Sequence, residues 1–177
     1  RLHLDNIGDL LVEEVGEGDD WVESTLSVDL RLDKFKNIEN VDIVGGAALF
    51  AIGNSGANVL FGNFGNNKLE GLEGNDTILG FNGNDTIDGG TGADDMQGGA
   101  NNDTFMVDDL SNKVSEDTGK FGGVDSVMSK VSFTLAANVE HLELAFVATA
   151  VNGAGNGLAN SISGNGLANK LYGYDND

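Results

Sequence analysis

Six repeats of nine residues follow one another without a break from Gly53 to Met106. Each repeat opens with glycine, has Asp or Asn at its sixth position and carries an apolar residue at its eighth. The opening glycines are Gly53, Gly62, Gly71, Gly80, Gly89 and Gly98. A strict short period is typical of a solenoid, in which every repeat forms the same turn and strand and packs on its neighbours. The predicted fold class is therefore all-β, a parallel β-roll or β-solenoid.

The same period predicts two columns of polar side chains at the edges of the roll. A loop followed by a short strand buries one side chain per repeat, at the eighth position, and two repeats complete one coil. Every second loop then stacks on the same edge. One edge stacks Asn58, Asp76 and Asp94, and the other stacks Asn67, Asp85 and Asp103. Carboxylates about 4.8 Å apart on neighbouring strands repel one another, so this arrangement favours a cation between them.

The composition narrows the choice of partner and of cation. The formal net charge is −20, from 29 acidic and 9 basic residues, and both nucleic acids and anionic membranes repel such a chain. No apolar run approaches the length of about 18 residues that a membrane span needs. Carboxylates and the carbonyls of glycine-rich loops are ligands for calcium, whereas magnesium demands tighter geometry and zinc or copper favours His or Cys. The chain has no Cys and two His.

Two further segments flank the repeats and give the chain a longer period of roughly 102 residues. NIENVDI at 37–43 returns as NVEHLEL at 138–144. Alternating apolar residues predict a strand in each spacer, Leu26, Val28, Leu30 and Leu32 in the first and Val131, Phe133 and Leu135 in the second. The predicted segments are a β-rich spacer at 1–52, the roll at 53–106, a second β-rich spacer at 107–154 and the start of a degenerate second block at 155–177. The spacers either continue the roll or fold as separate sandwiches.

The central repeats resemble a known family. GLEGNDTIL, GFNGNDTID and GGTGADDMQ are similar to the RTX, or haemolysin-type, calcium-binding nonapeptide, whose consensus is GGxGxDxUx. The resemblance implies a parallel β-roll that folds on binding calcium, with each ion between one loop and the loop two repeats later. It implies two ligand sets: Leu72, Gly74, Asp76, Gly89, Thr91 and Asp94 on one edge, and Phe81, Gly83, Asp85, Gly98, Ala100 and Asp103 on the other. Asn58 and Asn67 replace the consensus Asp and are weaker candidates, since a neutral amide attracts calcium less.

The expected function is a non-enzymatic calcium-binding module of a larger secreted or cell-surface protein, because the sequence has no nucleophile elbow, phosphate loop or zinc motif. Its expected partners are calcium ions and the adjacent repeats of the parent chain. The resemblance implies export by a type I route, with folding outside the cell. The alternative is an accessory carbohydrate-binding or adhesin module of a secreted enzyme or surface protein. An ice-binding face is disfavoured, because the loops lack a regular ladder of Thr or Asn.

Overall fold

The computed structural model describes residues 1–9, 11, 13–14, 18–35, 37–118, 122–146 and 151–174, which form short strands joined by turns. The first nine strands are β1 (Leu2–Leu4), β2 (Trp21–Ser24), β3 (Val28–Asp29), β4 (Asn40–Ile43), β5 (Phe50–Ile52), β6 (Val59–Phe61), β7 (Lys68–Glu70), β8 (Thr77–Asn82) and β9 (Thr86–Asp88). The others are β10 (Asp95–Ala100), β11 (Thr104–Val107), β12 (Lys113–Ser115), β13 (Ser126–Ser129), β14 (Phe133–Thr134), β15 (His141–Leu144), β16 (Gly153–Ala154), β17 (Ser161–Ser163) and β18 (Leu171–Tyr172). A 3-10 helix covers Asp33–Phe35. No helix in this described part has the length and hydrophobicity needed to cross a membrane.

The strands wind into a solenoid of about nine turns, and every strand pairing that the structure describes is parallel. One sheet has the order β1-β2-β4-β6-β8-β10-β12, and a second has the order β17-β15-β13-β11-β9-β7-β5-β3. A third, β14-β16-β18, alternates along the chain with the last strands of the second sheet. The sequence prediction of an all-β parallel solenoid is confirmed.

The core is a double ladder of apolar side chains between the sheets. In the repeats, all six eighth-position residues are fully buried: Leu60, Leu69, Ile78, Ile87, Met96 and Phe105. Each lies beside its counterpart two repeats away on the neighbouring strand, as Leu60 does with Ile78 and Leu69 with Ile87. Burial of such side chains contributes about 1.5–3 kcal/mol each. Because each coil buries few of them, the roll has a thin core whose stability depends strongly on its loops.

Both spacers add strands to the same sheets. Val41 of β4 pairs with Leu60 of β6, and Val127 of β13 pairs with Phe105 of β11, so the core ladder runs from the spacers through the repeats. The same kind of hydrogen bond also occurs within each spacer. The Asp20 N–H donates to Glu39 Oε2 over 2.9 Å in the first, and the Asp125 N–H donates to Glu140 Oε2 over 2.8 Å in the second.

The spacer strands are shorter than the alternating pattern predicts. The run from Leu26 to Leu32 contributes only the two residues of β3, after which the chain turns into the 3-10 helix and leaves Leu32 half exposed. The run from Val131 to Leu135 contributes only β14. Strands are short because a coil must turn a corner after a few residues. The alternation therefore continues past the point at which strand pairing ends.

Candidate metal centres

The sixth-position side chains form the two predicted columns and are linked through the main chain. In the first column the Asn58 N–H donates to Asp76 Oδ1 over 2.7 Å, and the Asp76 N–H donates to Asp94 Oδ1 over 3.0 Å. In the second, Asn67 donates to Asp85 and Asp85 to Asp103, each over 2.7 Å. The preceding coil thus binds Oδ1 of each carboxylate. This hydrogen bond orients the carboxylate and therefore also its Oδ2 atom.

Three of these four carboxylates have a second oxygen without a hydrogen-bond partner in the described part of the chain. Within the described residues, Oδ2 of Asp76, Asp85 and Asp103 is buried and makes no hydrogen bond. Each of these side chains is 1% exposed. Burial raises the pKa of Asp76 and of Asp85 to about 6, and that of Asp103 to about 7. A buried carboxylate left unpaired is costly, so these columns are chemically suited to a cation that contacts the Oδ2 atoms.

Glycine makes room for the carboxylates. A Cβ on Gly71 would collide with Asp76 Oδ2, and one on Gly80 would collide with Asp85 Oδ2. The opening glycine of each of these two loops therefore leaves a cradle over which the unpartnered oxygen lies. The orphaned oxygens, the cradle and the oxygen-only donor set together fit a hard divalent ion.

The Asp-containing loops share an unusual backbone conformation at their second and fourth positions. Both positions have positive φ in all four loops: Leu72 and Gly74, Phe81 and Gly83, Gly90 and Gly92, and Gly99 and Asn101. Asn101, at φ 80°, replaces glycine in a conformation that asparagine tolerates better than most residues. Leu72 at φ 83° and Phe81 at φ 73° hold the same conformation with bulky side chains. Strain of this kind is characteristic of functional loops.

The structure brings each predicted ligand set together on two stacked loops. On the first edge the Gly74 N–H donates to the Thr91 carbonyl over 3.0 Å, and the Thr91 N–H donates to the Leu72 carbonyl over 2.6 Å. On the second edge the Gly83 N–H donates to the Ala100 carbonyl over 3.1 Å, while Phe81 lies opposite Gly99. The remaining predicted residues, Gly89 with Asp94 and Gly98 with Asp103, lie on the same loops. A carbonyl oxygen has two lone pairs, so one such hydrogen bond leaves it able to accept a metal.

The first column ends differently from the second. Asn112 Nδ2 donates to Asp94 Oδ2 over 2.8 Å, which gives that oxygen a partner. Asn112 follows Asp94 by 18 residues, and Val114 pairs with Met96, so the register of the repeats continues beyond Met106. Sequence reasoning missed this repeat because it lacks the opening glycine. Its signal was the spacing of an Asn and an apolar residue two positions later.

The Asn side chains of the columns form hydrogen bonds with main-chain groups of the protein. Asn58 Nδ2 donates to the Glu39 carbonyl over 2.7 Å, and Asn58 Oδ1 accepts from the Asn54 N–H over 2.8 Å. Asn67 does the same with the Leu49 carbonyl and the Asn63 N–H. Asn160 and Asn169 of the last block also donate to main-chain carbonyls of the preceding coil. The amide nitrogen of each of these side chains thus donates to the preceding coil, and the side chain buries no negative charge that a cation would have to neutralise.

The comparison with protein families identifies the central repeats. The family model described as RTX calcium-binding nonapeptide repeat (4 copies) matches residues 52–80 and 79–109. Residues 52–109 are RTX calcium-binding repeats. RTX nonapeptide repeats bind Ca²⁺, so for this segment the resemblance and the metal expected from the sequence are both confirmed. No curated protein and no solved structure matches the chain. The RTX segment contains every Asp of the two predicted ligand sets, whereas Asn112 and the carboxylates beyond it lie outside the match.

Proposed function

We propose that this protein is a non-catalytic structural module that folds when its RTX loops bind calcium outside the cell. The observation that supports the proposal is the pair of buried columns in which Asp76, Asp85 and Asp103 each carry an oxygen without a hydrogen-bond partner. The parent is a larger secreted or surface protein, and the calcium-dependent segment is 53–106. Segments 1–52 and 107–154 act as spacers, and 155–177 begins a second block.

The ions bind between stacked loops. One site uses the Asp76 and Asp94 carboxylates with carbonyls of Leu72, Gly74, Gly89 and Thr91. The other uses the Asp85 and Asp103 carboxylates with carbonyls of Phe81, Gly83, Gly98 and Ala100. The site on the second edge is the stronger of the two, because Asn112 competes with calcium for Asp94 Oδ2. Asn58 and Asn67 contribute least, because their amides are already paired within the protein.

Because of its buried and overall negative charge, the module should fold only where enough calcium is present. Without calcium, burial of the ionised columns and the net charge of −20 both oppose folding. An ion that binds only the folded chain stabilises it by about 2.7 kcal/mol when its free concentration is 100 times its dissociation constant. Extracellular calcium modules typically have dissociation constants of roughly 0.1–1 mM. The chain therefore stays loose where calcium is scarce, which suits export, and coils after release.

Circular dichroism of the calcium-free chain tests the proposal. At about 37 °C, above the melting temperature that we expect for the calcium-free fold, EGTA should remove most of the β signal, calcium should restore it and magnesium at equal concentration should restore much less. The double variant Asp76→Ala and Asp94→Ala should weaken calcium binding, while the matched double variant Asn58→Ala and Asn67→Ala should leave calcium affinity close to that of the original chain. A spectrum and melting temperature unaffected by EGTA would contradict calcium-dependent folding.

A further inference from the structure

Three carboxylates meet where the second column leaves the RTX segment. Asp103, Glu116 and Asp125 each offer one oxygen, and these oxygens all lie within 4.8 Å of one another. Only Asp103 belongs to the predicted ligand sets. Glu116 and Asp125 lie beyond the segment that matches the family model, which ends at residue 109.

All three side chains are buried, and each has an oxygen without a partner. Asp125 is fully buried, Asp103 is 1% exposed and Glu116 is 9% exposed. In the described chain, Asp103 Oδ2, Glu116 Oε1 and Asp125 Oδ2 are buried without a hydrogen bond. The ion pairs formed by the described residues do not involve these carboxylates. Three buried acids with three orphaned oxygens need a positive partner more strongly than an exposed acidic cluster does.

Glu116 is directed into the cluster by the loop below it. Its Oε2 accepts the Gly99 N–H over 3.0 Å, which fixes one side of the carboxylate. A Cβ on Gly98 would collide with both Glu116 Oε1 and Asp103 Oδ2, so these two orphaned oxygens converge over the same glycine. Gly98 therefore provides the space in which a carboxylate from the next coil joins the column.

Asp125 continues the column across a longer loop. Its Oδ1 accepts the Asp103 N–H over 2.7 Å, the same contact as in the RTX loops, although the two residues are 22 apart instead of 18. Gly123, at φ 101°, stacks on the Asn101 carbonyl so closely that a Cβ there would collide with it. The insertion therefore leaves the loop geometry next to Asp125 intact.

We propose that Asp103, Glu116 and Asp125 form an additional calcium site that closes the second column. Three carboxylates from three loop positions provide more negative charge than the two of an RTX loop pair, and calcium accepts such mono- or bidentate oxygens in flexible geometry. Asp103 is shared with the site below. The site extends the calcium-dependent part of the molecule into the segment 107–154, which carries no nonapeptide consensus.

Calcium titration of the full chain by isothermal calorimetry tests this site. We expect Glu116→Gln to bind about one ion fewer per chain, or to bind it at least about 10-fold more weakly, because one of three charged ligands is removed. Glu143→Gln is the matched control, since Glu143 is an exposed glutamate on β15, and it should titrate like the original chain. In EGTA, Glu116→Gln should melt at a higher temperature than the original chain, because a buried unpaired carboxyl has been removed.

The outcomes separate this site from the RTX sites. If Glu116→Gln binds the same number of ions with the same affinities, this site does not exist, and the loop-pair sites are untouched by the result. If the original chain binds no calcium, both proposals fail. Should Glu116→Gln not fold in calcium, Asp125→Asn provides the second variant, and an unaltered titration of that variant would also overturn the site.

Discussion

Replacing Asp85 by Asn should reverse its effect on stability between calcium-free and calcium-loaded protein. The substitution keeps the oxygen that accepts the Asn67 N–H and turns the orphaned Oδ2 into an amide nitrogen. The substituted side chain is neutral, so the variant no longer buries an unpaired negative charge over Gly80. In calcium-free buffer at pH 8, the variant should therefore be more stable than the original chain.

The magnitude of this gain follows from the pKa of Asp85. Burial raises that pKa from 3.8 to about 6. Each unit corresponds to about 1.4 kcal/mol, so ionised Asp85 costs the calcium-free fold about 3 kcal/mol at most. For a chain of this size, 1 kcal/mol moves the melting temperature by about 2–4 °C, so we expect a rise of up to about 6–12 °C in EGTA.

In calcium the order should invert. At 1,000 times the dissociation constant the original chain gains about 4.1 kcal/mol from the ion held by Asp85 and Asp103, which exceeds the cost of about 3 kcal/mol, and the variant loses this ion. Thermal unfolding followed by circular dichroism, with EGTA and with calcium, measures both differences. Asp95→Asn is the matched control, because Asp95 is exposed beside the first column. A lower melting temperature for Asp85→Asn in EGTA, or an undiminished gain from calcium, would refute the reasoning.

Two other predictions concern proton binding and loop strain. Because burial raises the pKa of Asp103 to about 7 and of Glu116 to about 8, the calcium-free fold binds more protons than the unfolded chain, and its stability should fall as pH rises from about 4 to 8. Urea titrations in EGTA at pH 5 and pH 8 measure this fall in stability. The fall should be smaller for the Asp85→Asn variant, which lacks one of the buried carboxyls. Equal stability of the original chain at both pH values would contradict the prediction. Leu72→Gly should stabilise the calcium-loaded roll by about 1 kcal/mol, because φ is 83° at Leu72. The control Leu79→Gly, in strand β8, should destabilise it by a similar amount in the same urea assay, and a loss of stability for Leu72→Gly would show that its backbone is not strained.

Much of the roll was predictable because one period governs it. A nine-residue phase places Leu60 opposite Ile78 and Asp76 below Asp94 without any knowledge of long-range contacts. The loop pairs that hold the predicted ligands follow from the same arithmetic. Their individual roles as calcium ligands remain predictions.

The rest was not predictable because the coil length changes. Successive column residues are 19 apart from Asp20 to Glu39, 22 apart from Asp103 to Asp125 and 15 apart from Asp125 to Glu140. A solenoid tolerates such changes because insertions are absorbed at corners, where they alter no strand pairing. A fixed period therefore cannot place Glu116 or Asp125 in the column. Only the three-dimensional register shows that Glu116 reaches over Gly98.

The hydrogen bonds along each column have a direction. From Asn67 through Asp85 and Asp103 to Asp125, the N–H of one loop donates to the carboxylate of the loop that follows it. A coil is therefore completed by its C-terminal neighbour, and removal of that neighbour leaves a buried main-chain donor without an acceptor. Removal of the N-terminal neighbour instead takes one donor from a carboxylate, which solvent or an ion can replace. The solenoid is thus a polar one-dimensional lattice with nearest-neighbour coupling, in which fraying from the two ends has different costs.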